Sequence, residues 1–358
     1  MTIKGTSFQL KKFGSAPSAV EKDFAEPKGR EVLLRVAYSG VCHSDVYIMD
    51  GYQDLGDGDK MDFADSDMPI PLTMGHEIVG DIVAVGDEID PELIGEGRLV
   101  YPWIGCGECI SCKAGQDNHC ENACILGIFR DGGYADYVLV PDAKYLVGID
   151  GVDPSWACTL ACSGLTVFSA FEQLKPIKPG GYVAIIGLGG LGLMAVSMAA
   201  ALGVTNIIAC DISEDRFAVA EQLGATAVVN TGSTDAIEQL REISGGQLFG
   251  VIDTVGLPAT MSLGIEACMK GGRIVLVGLQ GGKIRLPLPT LPFKALSLIG
   301  TYTGTLDELK RLVPLAQSGE IKPMPVEIRP MSCLHETLED LRKGSVLGRV
   351  VLTPSTTA

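Results

Sequence analysis

The stretch GYVAIIGLGGLGLMAVSMAAALGVTNIIACD, residues 181–211, decides the fold of this 358-residue chain. An apolar run, YVAII, leads into a glycine-rich turn and then into a helical run, LMAVSMAA. Gly187, Gly189 and Gly192 stand in a G-x-G-x-x-G pattern, with Gly190 and Leu191 inside it. Such a turn needs glycine at its tightest point, where backbone meets a pyrophosphate, and where helix packs on strand. The helix start then offers free N–H groups to the anion. Asp211 ends the next apolar run, IIACD. A carboxylate there accepts hydrogen bonds from ribose hydroxyls and repels a 2′-phosphate, which favours NAD over NADP.

Outward from this stretch, apolar runs alternate with helical segments. The runs AVVN, GVIDTVG and RIVLVG are interleaved with EDRFAVAEQLGA and TDAIEQLREISGG, which end at glycine as amphipathic helices do. The spacing implies βαβ units and a parallel sheet covered on both faces. Residues 30–150 read differently: EVLLRVAYSGV, HEIVGDIVAVGDEI and YADYVLVP are short strands separated by Gly, Pro and Asp turns. After residue 290 come a proline-rich segment, a helix around TLDELKRLVPLAQSG and a closing strand, GRVVLTP. A doubly wound α/β module therefore interrupts a β-rich module built from both ends of the chain.

Composition excludes several classes of function. A net charge of −16 repels nucleic acid and anionic membranes. No apolar run reaches the roughly 18 residues of a spanning helix, and the N-terminal MTIKGTSFQLKKFG lacks a signal-peptide core. The expected compartment is the cytoplasm, where eleven cysteines point to metal binding or catalysis rather than disulfides. The acidic segment DLGDGDKMDFADSD, 54–67, reads as a solvated surface loop, with a lid or subunit contact as the alternative.

Four of the cysteines, Cys106, Cys109, Cys112 and Cys120, form C-x2-C-x2-C-x7-C. Disulfides, an iron–sulfur cluster, a redox dithiol and a metal clasp compete for them. The last gap is longer than in bacterial ferredoxins, and the turn-rich setting between strands does not suit a redox C-x-x-C. Four thiolates fill a tetrahedral zinc and leave no open position. Elsewhere GVCHSD brings Cys42, His43, Ser44 and Asp45 together, GHE joins His76 to Glu77, and LACSGLT holds Cys162 and Thr166. Spacing alone does not join Cys162 to Cys42.

Taken in order, GVCHSD, GHE, the four-cysteine segment, LACSGLT, GLGGLG and GRVVL resemble the zinc-dependent alcohol dehydrogenases of the medium-chain dehydrogenase/reductase superfamily, in its bacterial and archaeal branch. The resemblance implies a GroES-like catalytic domain, residues 1–163 and 303–358, and a Rossmann coenzyme domain, residues 164–302. It implies NAD and two zinc ions per chain. Cys42, His76 and Cys162 would hold the catalytic zinc, with Glu77 close behind and Asp45 orienting His76. Cys106, Cys109, Cys112 and Cys120 would hold a structural zinc in a lobe at about 103–124. Ser44 would take the alcohol proton, while His43 and Arg349 would face the pyrophosphate and Arg216 the adenosine ribose. Thr166, Leu191 and Val277 would pack around the nicotinamide.

The sequence departs from the family pattern at Tyr47, where many relatives carry the histidine that ends the proton relay. A tyrosine, with an ordinary pKa near 10, is a poor base at neutral pH. Trp103 and Phe129 read equally as pocket wall or core. The expected substrate is a small alcohol or its carbonyl product, and the expected assembly a homo-oligomer, with a tetramer favoured over a dimer. Two alternatives stand beside this: an NAD-binding scaffold or redox sensor without turnover, and a quinone or enone reductase of the same superfamily.

Overall fold

A computed structural model describes residues 2–354 of the chain. The opening stretch nucleates a six-stranded sheet. In spatial order its strands are Ala227–Asn230, Ile207–Asp211, Tyr182–Ile186, Leu248–Asp253, Arg273–Leu276 and Ser297–Gly300, every neighbouring pair parallel. Alternation along Tyr182–Ile186 sends Val183 and Ile185 into one core with Leu193, and Ala184 and Ile186 into another with Leu240 and Leu263. Both faces are thus buried, which is why these strands read as continuous apolar runs. The strand order reverses between Tyr182–Ile186 and Leu248–Asp253, and a crevice opens at the carboxyl ends of strands beside such a reversal.

The β-rich module is one sheet made from distant parts of the chain. Its strands lie in the order Leu146–Gly148, Gly97–Val100, Glu77–Val85, Val32–Gly40, Arg349–Thr353 and Val326–Pro330, with Tyr137–Val140 also paired to Val32–Gly40. The closing strand Arg349–Thr353 is therefore locked against a strand near the N-terminus. A smaller sheet holds Ser18–Phe24, Ile3–Leu10 and Leu72–Thr73.

One register matters for the site. Gly40 pairs with Glu77 in the antiparallel ladder, so Cys42, just past one strand, and His76, just before the other, emerge at the same end. A side chain at Gly40 would put its Cβ 2.1 Å from Glu77 Oε2, so only glycine leaves room for that carboxylate.

The acidic segment differs from the loop expected of it. Tyr52–Gly56 and Asp59–Asp62 pair as an antiparallel hairpin, followed by a short 3-10 turn, Phe63–Asp65. Its tip residues Asp57 and Gly58 both have positive φ, as a tight two-residue hairpin turn requires. The hairpin reaches the parallel-sheet module: Gln53 Nε2 donates to Leu279 O at 2.6 Å, and Lys283 Nζ lies 2.5 Å from Asp59 Oδ2 and 3.7 Å from Asp57 Oδ2. The charge pattern predicted exposure, and the aspartates are indeed exposed. What it concealed is a cation 224 residues away in sequence that fastens the hairpin down.

Candidate active site and metal centres

Between the two modules lies a cleft of about 440 Å³. Cys42, His43, Ser44 and Tyr47 form one wall; Gly187, Gly189, Gly190 and Leu191 of the fingerprint turn form the facing one. Asp211 and Arg216 line one part of the cleft wall, and Val277 and Arg349 another.

Cys42 precedes the helix His43–Asp50, and Cys162 precedes the helix Ser163–Leu174. Their sulfurs are 3.9 Å apart. Together with His76 and Glu77 they offer four ligand atoms within 4.8 Å of one another, all on buried residues. Neither ring nitrogen of His76 has a hydrogen-bond partner, although the residue is fully buried. Nδ1 lies 3.4 Å from Asp45 Oδ1, which leaves Nε2 for another partner. Two thiols and an unsatisfied imidazole in a buried cluster are the donor set that a catalytic zinc takes, three ligands with a fourth position open. The residues fit that ion.

Glu77 stands next to this cluster and forms a short ion pair with Arg349, both buried. Burial pushes the Glu77 carboxyl up to about 7, against the pull of the guanidinium. Arg349 also packs beside Gly190, where an added Cβ would lie 2.4 Å from its Cδ. Ser44 Oγ is 3.7 Å from Cys42 Sγ. The His43 and Tyr47 rings are tilted together at 5.3 Å. Burial lowers the His43 imidazole, keeping it neutral, and pushes the Tyr47 hydroxyl up to about 12.

The fingerprint turn is held from below. Gly187 has φ of 88°, and Thr254 Oγ1 lies 2.9 Å from both Ile186 O and Gly187 O, which share its single hydroxyl proton. A Cβ on Gly192 would meet Gly187 O at 1.7 Å, whereas one on Gly189 would meet nothing within 4 Å. The open space above Gly189 is where a pyrophosphate would approach the backbone, and the residues fit a dinucleotide. Asp211 Oδ2 accepts from Leu188 N at 2.6 Å and from Arg216 Nη1 at 3.3 Å, tying the carboxylate to the same turn.

Cys106, Cys109, Cys112 and Cys120 form the second cluster, again within 4.8 Å. The closest sulfurs, Cys109 and Cys112, are 3.5 Å apart, and backbone N–H groups of Cys106, Cys109 and Cys112 point at sulfurs. A Cβ on Gly105 would lie 2.4 Å from Cys112 Sγ, so the loop closes tightly on the cluster. This is the fit of a tetrahedral thiolate zinc.

Thr166 and Gly192 are placed differently from the cleft-lining residues: Thr166 is buried on the helix one turn beyond Cys162, and Gly192 lies beneath the turn. Trp103 is core: it is buried, packs on the His76 ring at 5.5 Å and donates to Ala161 O at 3.0 Å. Sequence reasoning passed over Thr254 and Tyr134. The DTVG run after a strand could have flagged Thr254, while nothing local marks Tyr134.

Residues 28–150 match the model of the alcohol dehydrogenase GroES-like domain, and residues 190–318 that of the zinc-binding dehydrogenases. A curated NAD-dependent alcohol dehydrogenase of Sulfolobus acidocaldarius is 36% identical over 96% of this chain and 98% of its own. The crystal structure of the alcohol dehydrogenase from Aeropyrum pernix superposes with a TM-score of 0.87 at 31% identity, covering 98% of this chain and all of that one. An acetophenone reductase from Geotrichum candidum, solved in complex with NAD, gives 0.86 at 29% identity, over 99% and 98% of the two chains.

Proposed function

The chain belongs to the zinc-type alcohol dehydrogenases of the medium-chain dehydrogenase/reductase superfamily, and on that premise we propose that it catalyses reversible hydride transfer between a primary or secondary alcohol and NAD. The observation that carries this reading is one cleft lined both by Cys42, with His76 and Cys162 clustered behind it, and by the fingerprint turn. When bound, zinc supplies polarisation of the substrate oxygen and a lowered hydroxyl pKa, and the nicotinamide supplies the hydride acceptor.

The chain's own residues do the rest. Cys42, His76 and Cys162 hold the metal, and Asp45 fixes the ring of His76. Ser44, on the cleft wall beside Cys42, accepts the alcohol proton as it gives up its own hydroxyl proton outward along the cleft to solvent. Tyr47, with its hydroxyl pushed up to about 12, keeps its own proton at neutral pH, so it passes on a hydrogen bond rather than acting as the terminal base. Asp211 takes the ribose hydroxyls with Arg216 beside it, and the N–H groups of the fingerprint turn take the pyrophosphate, together with His43 and Arg349 on the cleft wall. Leu191 and Val277 flank the nicotinamide, with Thr166 behind them. The cleft between the modules shields the reacting atoms from water.

We take residues 1–163 and 303–358 as the catalytic unit and 164–302 as the coenzyme unit, since Ser297–Gly300 is the last strand of the parallel sheet. Cys106, Cys109, Cys112 and Cys120 hold a structural zinc. The cytoplasm suits a chain whose cysteines serve as metal ligands. Self-association is supported by the sheet edge at Ser297–Gly300 and by Leu288 and Phe293, each 77% exposed, and among homo-oligomers we favour a tetramer over a dimer. No helix among the described residues is long and apolar enough to cross a membrane.

A panel of short, branched, benzylic and polyol alcohols, run with NAD and NADP on metal-analysed protein, tests the proposal. Turnover with NAD and two zincs per chain supports it; no turnover of any alcohol by the two-zinc protein refutes it.

A further inference from the structure

Behind the catalytic cluster sits Tyr134, a fully buried tyrosine that no local motif marks. Tyr134 Oη donates to Asp45 Oδ2 at 2.7 Å, with Gly40 O a longer alternative at 3.3 Å. The same Oδ2 also accepts from Cys42 N at 2.9 Å. Asp45 Oδ1 has no hydrogen-bond partner and faces His76 Nδ1. One carboxylate oxygen is therefore pinned twice and the other is left aimed at the histidine.

The tyrosine acts on His76 from a second side as well. Its ring packs under Gly75, where an added Cβ would lie 2.7 Å from Cδ1, and Gly75 has φ of 92°. The backbone is knitted to the same turn, with Tyr134 N donating to Met74 O and Gly133 N to Gly75 O. The residue therefore touches both the backbone that presents His76 and the carboxylate that orients its ring.

The geometry points to Tyr134 as a positioning residue for the catalytic metal: its hydroxyl fixes Asp45, and through Asp45 the tautomer and aim of His76. This rests on the assignment of zinc to Cys42, His76 and Cys162. A free carboxylate can rotate about its terminal torsion; a carboxylate with one oxygen held by both a phenol and a backbone N–H does not, and a fixed partner raises the basicity and order of a ligating imidazole.

Tyr134→Phe removes only the hydroxyl and keeps the ring over Gly75. Cobalt(II) substituted at the catalytic site reports ligand geometry in its visible spectrum, and zinc affinity is read by competition with a chromophoric chelator. The expected result is a zinc affinity at that site lower by about 10-fold, the low end for loss of a ligand's supporting partner, with shifted cobalt bands. Metal content at the four-cysteine cluster and the melting temperature stay close to those of the parent. Asp45→Asn lowers affinity too, and the double variant Asp45→Asn/Tyr134→Phe loses no more than Asp45→Asn alone, because the tyrosine acts through the aspartate. Tyr134→Phe with the parent's zinc affinity and cobalt spectrum overturns the inference, as do additive losses in the double variant. A parent protein that fails to take two metals sinks the zinc assignment itself, which is a different outcome.

Discussion

Gly189→Ala separates binding from folding more sharply than other changes to the fingerprint. At this position φ is −72°, which any residue adopts, and a Cβ meets no protein atom within 4 Å. The folded state therefore accepts the methyl without strain, and the loss of backbone freedom in the unfolded chain stabilises the protein by about 0.4–1 kcal/mol. The methyl instead fills the space in which a pyrophosphate must approach the backbone. Displacing one charge-assisted N–H contact costs about 1.5–3 kcal/mol, which weakens Kd for NAD by roughly 10- to 150-fold. Gly192→Ala is the contrasting control: its Cβ would lie 1.7 Å from Gly187 O, a backbone atom that cannot move aside. That variant should lose several degrees of Tm along with coenzyme binding, since overpacking costs about 1–3 kcal/mol. Calorimetric NAD titration and thermal melts of both variants give the answer. Gly189→Ala with parental NAD affinity, or with a Tm as depressed as that of Gly192→Ala, refutes the placement of the coenzyme over this turn.

Further expectations concern separate parts of the molecule. Asp211→Gly removes the carboxylate that would repel a 2′-phosphate and frees Arg216, so kcat/KM with NADP should rise by at least about 10-fold relative to NAD; an unchanged ratio argues against the role given to Asp211. Cys112→Ala should halve the zinc content and lower Tm, while a primary deuterium isotope effect on the folded fraction stays at the parent's value. Tyr47 keeps its proton below about 12, so oxidation of alcohol by the parent should keep rising with pH through the neutral range; Tyr47→His introduces a base titrating near 6.5 and should move the acid limb of kcat/KM to lower pH. Lys283→Glu faces Asp57 and Asp59 with a like charge, and stopped-flow measurement should find faster NADH release because the hairpin is unfastened; an unchanged rate means that the hairpin does not restrain the cleft.

Much of the coenzyme module was legible because its signals are local. Strand, glycine turn, helix and acidic strand end follow one another within residues 181–211, and Gly187 and Gly192 meet steric demands of the fold that no other residue meets. The four-cysteine cluster was legible for the same reason, as its ligands lie within one loop. The catalytic cluster was only partly so. Cys42 and His76 converge through the Gly40 to Glu77 register, a pairing that no spacing rule supplies, and Cys162 arrives from a different element altogether. Long-range pairs were invisible: Arg349 with Glu77 across 272 residues, Tyr134 with Asp45 across 89, and Lys283 with the acidic hairpin. In each case the sequence showed a charged or polar residue, and the fold alone decided its partner. The acidic segment illustrates the cost, since charge density predicts exposure correctly but says nothing of the cation to which an exposed hairpin is tied.

The proposed reaction needs one cleft to join a zinc on Cys42, His76 and Cys162 to an NAD held on the fingerprint turn. It is tested most directly by following NADH formation from an alcohol and its C1-deuterated form, with the parent and Cys42→Ala matched in folding and in structural-site zinc. The expected result is NAD reduction by the parent with deuterium transferred to the coenzyme, and loss of turnover in Cys42→Ala together with one zinc per chain. Turnover that survives in Cys42→Ala, or a two-zinc parent that reduces no NAD with any alcohol, contradicts it.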